Sequence, residues 1–121
     1  MPERKYVDKN NVRILEKFFD PLRIRLRVMP ISKAPVTNGK NADFYFIEAG
    51  KLSLKGDLTK AIDMLKRGLQ LKPNHYLCRF NHGAVLFKLG LILEAAKDYE
   101  GLLQQHPSDS CAAYNLSVCM V

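Results

Sequence analysis

Residues 42–75 can be laid on residues 76–109 without a gap, which pairs Phe46 with Phe80, Leu52 with Leu86, Gly56 with Gly90, Ala61 with Ala95, Leu69 with Leu103, Gln70 with Gln104 and Pro73 with Pro107. A fixed 34-residue period constrains this chain more than any other feature. Each unit must be a supersecondary element that cannot bury its apolar face alone and does so against its neighbour.

The residues inside the unit predict its form. Gly56 and Gly90 stand where a left-handed residue would end one helix, and Pro73 and Pro107 stand where a second helix must stop. Phe44, Tyr45, Ala49 and Leu52 recur at helical spacing, and so do Leu58, Ile62, Leu65 and Leu69. Ala49, Ala61, Gly83 and Ala95 are small where two antiparallel helices would cross closely, since bulk there would force the pair apart. Each unit reads as helix, turn, helix, and the fold class as all-α.

Taken together, the small residues at Ala49 and Gly83, Leu52 and Leu86, Gly56 and Gly90, Ala61 and Ala95, Leu65 and Tyr99, and Pro73 and Pro107 give a pattern that resembles the tetratricopeptide repeat family. The resemblance implies an α-solenoid with one repeat at 42–75, a second at 76–109 and the first helix of a third at 110–121, preceded by a basic extension and linker at 1–41. Arg79 in place of an apolar residue such as Tyr45, Glu48 and His82 at a second position, and Gly68 and Leu102 at a third depart from the pattern and are expected to weaken the inner seam without changing the fold. The last unit ends in the apolar run Ser117-Val118-Cys119-Met120-Val121. That run predicts continuation of the array, or self-association or partner contact through the final helix.

The resemblance also implies a concave groove lined by the first helices. Read onto this chain, the groove comprises Phe46, Ile47, Phe80, Asn81, Ala84, Tyr114 and Asn115. The expectation is an exposed aromatic column of Phe46, Phe80 and Tyr114 beside amides that can donate to and accept from a peptide backbone. One subclass of the family clamps a C-terminal carboxylate, and here only Asn81 matches its residues; Phe46, Gly50, Cys111 and Asn115 stand at the other places. The cations that would pair with a carboxylate are missing.

Composition limits the remaining choices. In 121 residues, one core must serve most of the chain, and 47% hydrophobic with 26% charged residues is a globular balance. Lys88, Glu94 and Lys97 break the most apolar region, so no run reaches the roughly 18 residues of a membrane span. Residues 1–9 lead into no apolar stretch of a secretory signal, and an intracellular, cytoplasmic address is expected, with cytoskeletal or ciliary association compatible. Cys78, Cys111 and Cys119 form no CxxC pair and are read as free thiols. His75, His82 and His106 have no metal-ligand spacing, so neither a metal nor a cofactor is expected.

The net charge of +7 is concentrated at one end: residues 1–40 carry ten Lys or Arg against four Asp or Glu, and residues 41–121 nine against eight. Val12, Leu15, Phe18 and Phe19 share a helical face up to Pro21. Then Leu22, Ile24, Leu26 and Val28 alternate with Arg23, Arg25 and Arg27, the period of a half-buried strand. A lone strand in a helical domain must stay extended, add to another protein's sheet, or continue the helix. Residues 32–41, with Pro35, Asn38 and Gly39, read as a linker.

No GxSxG, HExxH, GxxxxGK[ST] or GxGxxG occurs, so the chain is expected not to be an enzyme. The leading expectation is an adaptor or scaffold that binds protein segments in the groove as part of a larger assembly. The alternative is a basic accessory protein docking on nucleic acid or an anionic surface through Arg23, Arg25 and Arg27. That alternative is disfavoured, because no aromatic interleaves with the arginines to stack bases.

Overall fold

The computed structural model describes residues 26–120. The expected helix over 9–20, together with Arg23 and Arg25, lies outside the described residues. Those described contain a 3₁₀ turn at Ile31–Lys33 and five α-helices: α1 (Ala42–Leu54), α2 (Leu58–Leu71), α3 (Tyr76–Lys88), α4 (Ile92–Gln105) and α5 (Ser110–Cys119). No strand occurs among them. The all-α expectation therefore holds, and α1, α3 and α5 start 34 residues apart, as do α2 and α4.

Local chemistry sets each helix boundary. Side chains of Asn41, Asp57, His75 and Asp109 accept first-turn N–H groups at the starts of α1, α2, α3 and α5. At the end of α1, Gly56 takes φ +83° while its N–H donates to the Ser53 carbonyl and Asp57 N–H donates to that of Leu52. The end of α3 repeats this with Gly90 at φ +87°, whose N–H donates to Phe87, and with Leu91 N–H donating to Leu86. A residue with a Cβ would be strained at either glycine, so the period of the sequence becomes a period of turn geometry.

Within each pair the helices pack through the expected small residues. Ala49, Ala61, Gly83 and Ala95 are all buried. A Cβ at Gly83 would stand 2.8 Å from Tyr99 Cζ, and the fully buried Tyr99 ring is fixed in place by its O–H, which donates to the Phe80 carbonyl at 2.9 Å. Phe80 meets that ring edge-on, with centroids 5.2 Å apart.

Two of the departures from the repeat pattern, Arg79 and His82, converge on one carboxylate of the facing helix. The buried Asp98 carboxylate accepts from Arg79 Nη1 at 3.1 Å and pairs with His82 Nδ1 at 2.6 Å, which ties α3 to α4. The cation at Arg79 and the imidazole at His82 thus compensate a buried carboxylate on the facing helix, where the sequence reading expected a weakened seam.

Gly83→Val should cost about 1–3 kcal/mol, because overpacking against a ring that cannot move outweighs the gain in helix propensity. Urea unfolding followed by circular dichroism measures the loss.

Candidate peptide-binding groove

Residues 26–30 run extended across the face shared by α3 and α5, with no regular secondary structure of their own. Two asparagines hold them. Asn115 Oδ1 accepts from Arg27 N–H at 2.9 Å and its Nδ2 donates to the Arg27 carbonyl at 2.9 Å. One repeat earlier, Asn81 does the same to Met29, with both contacts at 2.8 Å.

A side-chain amide offers the same donor and acceptor as a peptide unit, so each asparagine pairs with the segment as one residue of a neighbouring strand would. Residues 27 and 29 present their N–H and C=O to the same side because extended chain alternates with period two. This is how the lone extended segment finds ladder partners in a helical domain. Both asparagines are buried, Asn115 completely. Their amides would be costly to leave unpaired there.

Side chains add contacts at both ends. The Arg27 guanidinium lies 4.6 Å from the Tyr114 ring centroid, and Nη1 donates to Cys111 Sγ at 3.4 Å. Leu26 and Met29 pack on the core. Ile31 rests so closely on α1 that a Cβ at Gly50 would overlap its Cγ2. The segment thus runs from α5 toward α1 as residue number rises. Val28, Met29, Pro30 and Ile31 form one side of an open cleft of about 310 Å³ whose other walls include Ala49, Leu54, Leu65, Ala84 and Val85.

The predicted site residues divide. Asn81, Asn115 and Tyr114 touch the segment, and Ala84 lines the cleft. Phe46 and Phe80 do not form an exposed aromatic column: both are 0% exposed and belong to the core, and Phe80 stacks on Tyr76 at 5.8 Å as well as meeting Tyr99. Phe46 and Phe80 lie three residues before Ala49 and Gly83, hence on the helix faces that cross their partners. Ile47, at the place that asparagine holds in the later units, is half-buried against the core. The alternation of Leu26 and Val28 does not create one apolar face either, since Val28 is 43% exposed. Gly50, Cys111 and Asp98 were not expected in these roles.

The three cysteines are free thiols. Burial, then the Asp43 carboxylate, pushes the Cys78 thiol up to about 12, and burial raises Cys119. Among the described residues no group of three His, Cys, Asp or Glu is placed to hold a metal, and no helix is long and apolar enough to cross a membrane. No family model, curated protein or solved structure matches this chain.

Asn81→Asp keeps the acceptor, loses the donor and sets a negative charge against the Met29 carbonyl. Amide hydrogen exchange at Met29 should accelerate at least tenfold while the α4 core amides stay protected. At pH 8 the folded chain should leave Cys78 unalkylated, since roughly one thiol in ten thousand is ionised at a pKa four units above the pH. Mass spectrometry of native and urea-unfolded samples checks this.

Proposed function

We propose that the chain is a non-enzymatic, tetratricopeptide-type adaptor that works inside the cell and holds an extended segment of a protein in the groove formed by its first helices. The observation that carries this reading is the pair of two-bond contacts from Asn81 and Asn115 to the main chain of residues 27 and 29. Buried amides one repeat apart that each pair both the N–H and the C=O of one residue read only main chain, so the same two side chains suit any extended segment laid in that register. The 34-residue helix spacing and the twice-repeated glycine turn support the repeat assignment.

The basic-docking alternative gains little. Arg27, the one described arginine of the alternating stretch, is engaged with Tyr114 and Cys111 and presents less free charge to a polyanion.

The test is affinity capture at moderate salt with the native chain and with Asn81→Ala, Asn115→Ala, first shown by circular dichroism to stay helical. Specific protein partners should fall at least tenfold in the variant, consistent with about 0.5–1.5 kcal/mol per lost hydrogen bond. Unchanged partners, or recovery of nucleic acid that disappears steeply with salt, would remove the groove from the function.

A further inference from the structure

We infer that the groove selects a partner protein's extended segment bearing a cation, a bulky apolar residue two positions on and an aliphatic residue four positions on, and that residues 27–31 of this chain occupy the groove as an incomplete internal copy of that ligand. The inference rests on the reading of the groove as a peptide-binding site and adds what the peptide must contain.

The asparagines read main chain alone and cannot distinguish one sequence from another, so selectivity must come from the side-chain contacts between and beyond them. Three are visible. The ring of Tyr114 and Cys111 Sγ receive the Arg27 guanidinium, a place suited to a flat cation. Met29 is fixed by Asn81 beside the apolar walls of the cleft. Gly50 makes room for the Ile31 side chain, whose Cγ2 a Cβ at position 50 would overlap unless Ile31 moved.

The internal copy fits imperfectly. Its main chain is paired at residues 27 and 29, yet an open, mostly apolar cleft of about 310 Å³ is left beside residues 28–31, with walls from α1, α2 and α3. A bulkier side chain at the Met29 place would occupy part of that cleft and gain contacts the native segment lacks. The native segment compensates through tethering: the connection from Ser32 to Asn41 holds it at millimolar-order effective concentration, so a partner must fit better to displace it. Val36, in that connection, is 96% exposed, and among the described residues Thr37 and Gly39 bond each other. The tether can therefore be altered without touching the groove.

The experiment places a protease site at residues 36–39 of the full chain, cuts it after folding, and follows exchange of the retained segment for a fluorescein-labelled peptide of residues 22–34 by anisotropy. The native peptide should bind; its Arg27→Ala and Ile31→Ala forms should bind at least threefold more weakly, and its Met29→Phe form at least threefold more tightly. Should cutting unfold the chain, uncut Met29→Pro protein, which lacks the N–H donated to Asn81, serves instead and should bind the native peptide at least tenfold more tightly than uncut wild type. Four peptides binding within twofold of one another would overturn the inference and leave the groove as an unselective main-chain clamp. Binding of no peptide to either opened protein would overturn both the inference and the peptide-binding function. A wild-type dimer at micromolar concentration that Met29→Pro abolishes would assign the site to a second copy and overturn the partner-protein inference.

Discussion

The close approach of α3 to α4 at Gly83 is the contact on which the groove depends. Without a Cβ at that position the Tyr99 ring lies directly on the α3 backbone, and its hydroxyl bonds the Phe80 carbonyl. Asn81 is the next residue along that backbone. Whatever fixes the rotation of α3 at Phe80 and Gly83 therefore also aims the Asn81 amide at the opposite face. Binding geometry here is set from the interior outward: a buried tyrosine and a missing methyl group orient an amide that touches neither of them.

Much of this was readable in the sequence because it concerns spacing. A helix that must end at Gly56 ends again at Gly90, and the physics of a left-handed cap is the same at both. Spacing also showed that Phe46 and Phe80 recur, but recurrence does not say which face recurs. Their buried state could have been inferred from a second spacing, the three-residue step to Ala49 and Gly83, which places ring and small residue on one side of the helix. Asn81 and Asn115 were legible as two amides on one face of the first helices, one repeat apart. Their ligand was not, because a side chain that binds main chain leaves no complementary pattern in what it binds. Asp98 was hidden for a different reason: a buried carboxylate is acceptable only where Arg79 and His82 converge on it, and that convergence joins two helices.

The first unit shows where the ladder stops. Ile47 occupies the place of the two asparagines and packs against the core, so α1 offers the segment no amide. Contact there passes to Ile31 on Gly50, after which the chain turns through Ile31–Lys33 and leaves the groove. Main-chain pairing thus covers the half of the groove built by α3 and α5, and shape covers the other half.

The Arg27–Asn115 contacts join residues 88 positions apart. During synthesis the occupant emerges first and half of its receptor last, so at about 5–20 residues per second the segment spends roughly 4–18 s with the α5 part of its groove not yet made. Throughout that interval its arginine and its unpaired amides face whatever else is near the nascent chain. The order of residues along the polypeptide thus leaves the segment half-held until α5 is made, and the contacts that hold it close only then.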